Sequence, residues 1–179
     1  MMYKLGIDIG STTAKLVVQD ENKSVVYSKY TRHNADVACC VADILLQAEK
    51  VIGNVQAEVV ITGSAGLGLS ERLGLPFVQE VISVSNFVKS SKMEINTLID
   101  IGGEDAKIIF FDKGQMPLMR MNGNCAGGTG AFIDQMAVVL GVAVEELDAL
   151  AQSAEHIYPI ASRCGVFSKT DVQNLVAKA

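Results

Sequence analysis

The sequence predicts a duplicated α/β architecture in which each half runs βββαβαβα and the second half breaks off early. Three observations carry that reading. Asp8-Ile9-Gly10-Ser11-Thr12-Thr13-Ala14-Lys15 is answered by Asp100-Ile101-Gly102-Gly103-Glu104-Asp105-Ala106-Lys107, so Asp-Ile-Gly-x-x-x-Ala-Lys occurs twice, 92 positions apart. The match runs on, with Leu16-Val17-Val18 against Ile108-Ile109-Phe110 and Asp20 against Asp112. Apolar runs of strand length then alternate with helical stretches.

In the first half, residues 5–9 form an apolar strand that ends in a glycine turn. Residues 16–18 continue a second strand, and residues 25–30 form a third. Val37, Val41, Ile44, Leu45, Ala48, Val51 and Ile52 share one helical face, with Asn34 as the expected N-cap and Gly53 as the stop. A strand over 57–62, a short helix over 64–73, a strand fragment over 77–79 and a helix over 81–92 complete the half. The second half repeats the three strands, near 98–101, 108–110 and 116–121. A helix over 128–140, a polar helical turn over 145–151 and a last helix from Lys169 follow. Ser168-x-x-Asp171 reads as a variant capping box for that last helix. The strands that close the first half have no counterpart, so the chain reads as C-terminally incomplete. The expected domains are 1–95 and 96–179.

Composition narrows the function. The 179 residues are 49% hydrophobic with Gly 16 and Pro 3, which excludes disorder and collagen. Lys+Arg 15 against Asp+Glu 20 leaves a net charge of −5, so no basic face points to nucleic acid or to an anionic membrane. The longest apolar stretch, 136–144, is interrupted by Gly141 and is too short to cross a bilayer. No signal-peptide pattern opens the chain, and four cysteines are too few for a secreted disulfide scaffold. The expected location is cytoplasmic.

A strand ending in Asp-x-Gly before small hydroxyl residues suits a phosphate site. Gly10 admits the backbone to an anion, and the amides and hydroxyls of Ser11, Thr12 and Thr13 donate to its oxygens. Lys15, one residue past Ala14, neutralises charge, and Asp8 can hold Mg2+ through its waters. In the second copy Asp100 is a second carboxylate for the metal, Gly102 and Gly103 form the turn, and Glu104 and Asp105 are placed to orient water. One such turn alone is better read as an ordinary hairpin. Two matched copies can grip phosphates from both sides of a cleft.

A third constellation is Asn122-Gly123-Asn124-Cys125-Ala126-Gly127-Gly128-Thr129-Gly130-Ala131-Phe132, four glycines around a cysteine just before a helix. The next cysteine, in Arg163-Cys164-Gly165-Val166-Phe167, also lies near a helix start, where an anion or thiolate is stabilised. The pair admits three readings: metal ligands, an intramolecular disulfide, or two inert thiols. Two ligands are too few for an iron–sulfur cluster, which usually takes four thiolates. Cys39 and Cys40, adjacent on a helix, point about 100° apart and read as ordinary side chains of that helix. Two subunits could instead each give Cys125 and Cys164 to one cluster on a two-fold axis.

The two Asp-Ile-Gly motifs, the 122–132 segment and the Arg163–Asp171 segment together resemble the activators of 2-hydroxyacyl-CoA dehydratases. These are the BadF/BadG/BcrA/BcrD-type ATPases of the acetate kinase/sugar kinase/Hsp70/actin superfamily. The resemblance covers essentially the whole chain, and the two cysteine motifs are its specific part. It implies a duplicated ribonuclease H-like (actin-like ATPase) fold and an ATP- and Mg2+-dependent homodimer. It also implies a [4Fe-4S] cluster shared between the two subunits, held by Cys125 and Cys164 of each. One electron would pass from ferredoxin or flavodoxin through that cluster to a dehydratase or related acyl-CoA reductase. Residues from Gly10 to Lys15 and from Asp100 to Asp105 match the phosphate motifs, and Glu145 matches a nucleotide-contacting position. Position 104 is Glu where relatives often carry Gln. The competing expectations are a small-molecule kinase of the same superfamily, which leaves the Cys125 loop without a purpose, and a non-catalytic actin-like assembly module.

Overall fold

The computed structural model describes residues 2–91, 93–112, 115–122, 125 and 127–178. The chain divides into two compact units, Met1–Ile95 and Asn96–Ala179.

In the first unit, β1 (Tyr3–Ile9), β2 (Thr13–Gln19) and β3 (Val25–Arg32) form an antiparallel meander, and β4 (Ala57–Thr62) pairs parallel with β1. The sheet order is β3-β2-β1-β4. A parallel partner needs a crossover, supplied here by α1 (Val37–Ile52), which packs on β2 and β3. Alternation decides which face is covered. Leu5, Ile7 and Ile9 of β1 and Ala14, Leu16 and Val18 of β2 point to one side, where they meet Val41, Ile44 and Ala48 of α1 and Ile61 of β4. Each such aliphatic side chain contributes roughly 1.5–3 kcal/mol on full burial, so this cluster is the main source of the unit's stability. α2 (Leu67–Leu73) and α3 (Glu80–Ser90) follow β4.

The expected N-cap, Asn34, is displaced by Asp36. The Asp36 carboxylate accepts from the Cys39 amide at 3.2 Å, while Asn34 takes a left-handed φ of 47° in the turn before the helix. The expected short helix over 64–73 begins later, at Leu67. The 77–79 fragment reduces to a single bridge between Ile61 and Phe77. Lys92, the expected end of the helix over 81–92, lies outside the described residues.

The second unit repeats the meander. β5 (Thr97–Ile101), β6 (Ala106–Phe110) and β7 (Leu118–Asn122) lie in the order β5-β6-β7. The registers coincide: Asp100 faces Lys107 and Ile101 faces Ala106, as Asp8 faces Lys15 and Ile9 faces Ala14. α4 (Gly130–Leu140), α5 (Leu147–Gln152) and α6 (Gly165–Val176) follow, and α4 packs on α6.

The start of α6 corrects the expectation. The helix opens at Gly165 with Cys164 as its N-cap residue, four residues before Lys169. Ser168 and Asp171 are therefore helical rather than capping. The Ser168 hydroxyl donates to the carbonyls of Cys164 and Ala161, and the Asp171 carboxylate accepts from the Ala161 amide at 2.9 Å. The two residues tie the preceding segment down onto the helix. Among the described residues, no helix is long and apolar enough to cross a membrane.

Candidate functional site

Each repeated motif folds into the same turn. The Gly10 amide donates to the Thr13 carbonyl at 2.9 Å, and the Gly102 amide donates to the Asp105 carbonyl at 2.8 Å. What lines the two turns differs. The first carries Ser11, Thr12 and Thr13. The second carries Gly103, the exposed Glu104 and Asp105, and Gly102 has no room for a Cβ against the Asp105 carboxylate.

In the first unit Lys15 reaches across the hairpin, its Nζ 2.7 Å from Asp8 Oδ2 and 5.5 Å from the Tyr30 ring centre. The lysine thus neutralises the strand-end carboxylate. The other oxygen, Asp8 Oδ1, is buried without a hydrogen-bond partner, as is Oγ1 of Thr62, the residue beside Asp8 in β4. Two buried oxygens that both lack a donor mark a place where the donors of a ligand or of hydrated metal are wanted. The backbone also closes around this point. Gly63 has φ +95°, and a Cβ there would overlap the Asp8 carboxylate and the Ile9 carbonyl, while the Ala65 amide donates to the Ile9 carbonyl at 2.9 Å. In the second unit Lys107 is buried and pairs with Asp105 at 3.1 Å.

Both turns are pinned from outside. The amides of Gly130 and Ala131, at the start of α4, donate to the carbonyls of Gly102 and Gly103 at 2.8 Å each. On the first turn the corresponding donor is a side chain. His33 Nε2 lies 3.1 Å from the Gly10 carbonyl, and its backbone amide donates to the Thr12 carbonyl at 3.2 Å.

The cysteine pair comes together at one helix end. Cys164 precedes the first residue of α6, and the Cys125 thiol accepts from the amides of Gly127, at 3.3 Å, and of Gly165. Those two amides hold the Cys125 thiol below the ordinary cysteine range. The other pair behaves oppositely. The Asp36 carboxylate, through its hydrogen bond and its charge, pushes the Cys39 thiol up, and burial with the charges of Asp43 and Asp36 pushes the Cys40 thiol up. All four cysteines are free thiols, so the disulfide reading of Cys125 and Cys164 does not describe this structure. Gly123, Asn124 and Ala126 of the cysteine loop lie outside the described residues. Among the described residues, no group of three or more His, Cys, Asp or Glu side chains comes together to hold a metal. Glu145 lies exposed in a 3-10 turn, Val144–Glu146, beside Glu146, whose carboxylate accepts from the Ala143 amide at 2.8 Å.

Sequence reading missed His33, Thr62 and Gly63. A lone histidine in a polar loop carries no periodic signal. The Thr-Gly pair at the end of β4 could have been found by noting that a parallel neighbour of β1 must end beside Asp8.

A duplicated Asp-Ile-Gly hairpin, with a crossover helix in the first copy, defines an ATPase of the actin-like fold. The chain belongs to the BadF/BadG/BcrA/BcrD ATPase family, whose pattern matches residues 5–178. It is similar to the (R)-2-hydroxyglutaryl-CoA dehydratase activating ATPase of Acidaminococcus fermentans, with 30% identity over 99% of this chain and 68% of that protein. It is similar to the activator of lactoyl-CoA dehydratase of Anaerotignum propionicum, with 34% identity over 96% of this chain and 66% of that protein. The solved structure of the activator of 2-hydroxyisocaproyl-CoA dehydratase from Clostridium difficile, with bound ADPNP, matches at a TM-score of 0.84 and 29% identity. That match covers 99% of this chain and 67% of the other. The chain thus spans about two thirds of the length of these relatives.

Proposed function

We propose that this chain is the ATP-binding and cluster-holding part of a reductive activator, a homodimeric ATPase that delivers one electron to a 2-hydroxyacyl-CoA dehydratase or a related acyl-CoA reductase. The observation that carries the proposal is the meeting of Cys125 and Cys164 at the start of α6, with the Cys125 thiol on the Gly165 amide. Two cysteines at one helix end, with the Cys125 thiol on two backbone amides, fit half of a [4Fe-4S] ligand set, and a second copy completes it. When bound, such a cluster supplies one-electron chemistry at low potential, drawing on a ferredoxin or flavodoxin donor.

The nucleotide side rests on the two hairpins. Ser11, Thr12 and Thr13 donate to phosphate oxygens and Gly10 admits the backbone close to them, while Ala14 packs in the core behind the turn. Asp8 fits a hydrated Mg2+, because its orphaned Oδ1 wants the protons of metal-bound water. Asp100 is the corresponding metal-binding carboxylate of the second hairpin, while Gly102 and Gly103 shape the second turn. Glu104 and Asp105 orient the attacking water, and Glu145 contacts the nucleotide. Lys15 pairs with Asp8 at 2.7 Å and is available to a phosphate charge.

The test is anaerobic reconstitution with iron and sulfide. A brown protein with about two irons per chain is expected, because four irons are divided between two chains. Cys125→Ala or Cys164→Ala should remove iron and the cluster-bridged dimer together, whereas Cys39→Ala and Cys40→Ala should leave both. About four irons per chain would refute the shared site.

A further inference from the structure

We infer that His33 is the positioning residue of the first phosphate turn, a side-chain donor doing what a helix amide does in the second copy. The inference rests on the nucleotide reading of the Asp8–Lys15 hairpin and goes beyond it. His33 is 7% exposed, and its ring is engaged on both nitrogens. Nδ1 lies 3.1 Å from the Ala35 amide and must accept, since an amide can only donate. Nε2 therefore carries the proton and donates to the Gly10 carbonyl at 3.1 Å. The backbone joins in, with the His33 amide on the Thr12 carbonyl and the His33 carbonyl accepting from Asp36, the N-cap of α1.

The repeat supplies an independent argument. Gly10 and Gly102 are equivalent positions, and the carbonyl of each is capped by a donor from the chain that follows the third strand. In the second copy that donor is the Gly130 amide of α4, at 2.8 Å. In the first copy the connection is only residues 33–36, and His33, its first residue, sits where it can cap the turn. The backbone there is bent, with φ of 47° at Asn34 and 67° at Ala35, a conformation that L residues adopt reluctantly. Two copies thus satisfy one requirement by different means, which points to the carbonyl of the turn glycine as the atom that must be held. If it is released, the amides and hydroxyls of Ser11, Thr12 and Thr13 lose their common orientation toward a phosphate, and preorganised affinity falls.

Three variants of the full chain test this. His33→Phe keeps the ring volume without a donor, His33→Ala removes both, and His33→Gln returns an N–H at the reach of Nε2. Binding of Mg·ADPNP, followed by calorimetry, should weaken about tenfold or more in the Phe and Ala variants, the loss expected for an unmade buried hydrogen bond. The Gln variant should stay within about threefold of the parent. Undiminished binding by the Phe variant, or a Gln variant as weak as Phe, overturns the inference alone. Absence of binding by the parent chain overturns the nucleotide reading itself, and this inference with it. Nitrogen-15 ring spectra of the parent chain decide the point even if the Phe and Ala variants do not fold. A slowly exchanging Nε2–H signal that moves on addition of Mg·ADPNP supports the clamp. A proton on Nδ1, or an Nε2 signal indifferent to the nucleotide, refutes it.

Discussion

Gly127 and Gly165 meet backbone to backbone. A Cβ on Gly165 would sit 3.1 Å from the Gly127 Cα and 3.4 Å from the Phe132 ring, and one on Gly127 would sit 3.2 Å from the Gly165 nitrogen. Their lack of side chains is what lets the Cys125 loop lie on the first amide of α6. Gly165→Val should lift the loop away and deprive the Cys125 thiolate of that amide. The pH midpoint for alkylation of Cys125, followed by mass spectrometry, should then rise toward that of an ordinary thiol. An unchanged midpoint would mean that the Gly165 amide contributes nothing.

The Cys125 and Cys39 thiols of the parent chain should also separate by pH. Amide donors lower the Cys125 pKa, so its thiolate forms at lower pH, whereas the Asp36 carboxylate raises that of Cys39. As pH rises from neutrality, iodoacetamide should label Cys125 first and Cys39, also exposed, later. The reverse order would contradict the hydrogen-bond assignment.

Asp8→Asn keeps the shape of the strand end but removes the charge that faces Lys15 and the proposed metal. ATP hydrolysis should fall about 10²- to 10³-fold, the usual loss when one charge-stabilising group is removed, while iron content is unchanged. Asp100→Asn should act alike. Full activity in either variant would leave the repeated motif a structural feature only.

Gly63→Ala forces a side chain into a left-handed residue that already touches the Asp8 carboxylate and the Ile9 carbonyl. The combined strain should cost at least about 2 kcal/mol in urea unfolding. Gly68, with open space at its Cβ position, is the control.

Ile44 sits at the centre of the face that α1 turns to the sheet and is 1% exposed. Ile44→Ala should destabilise the first unit by about 2–5 kcal/mol, measured by chemical denaturation.

The register of both hairpins was legible in the sequence because the repeated Asp-Ile-Gly-x-x-x-Ala-Lys sets strand end, turn and return strand at once. The buried face of α1 was legible too, since Val41, Ile44 and Ala48 follow helical spacing. Helix starts were harder to read. Asn34 and Asp36 are both good caps, and only the bend after His33 decides between them. Ser168-x-x-Asp171 imitates a capping box, while the true start is a glycine, a poor helix former made useful by its contact with Gly127. The role of His33 depends on one hydrogen bond between positions far apart in the chain, which no local pattern encodes.

The ties from Ser168 and Asp171 to Ala161 have a consequence for handling the protein. Residues 153–160 are exposed and lie outside regular structure, whereas Ala161 is fastened to α6 by two hydrogen bonds. A protease should therefore cut within 153–160 and spare the bonds from Ala161 onward, leaving Cys164 attached to its helix.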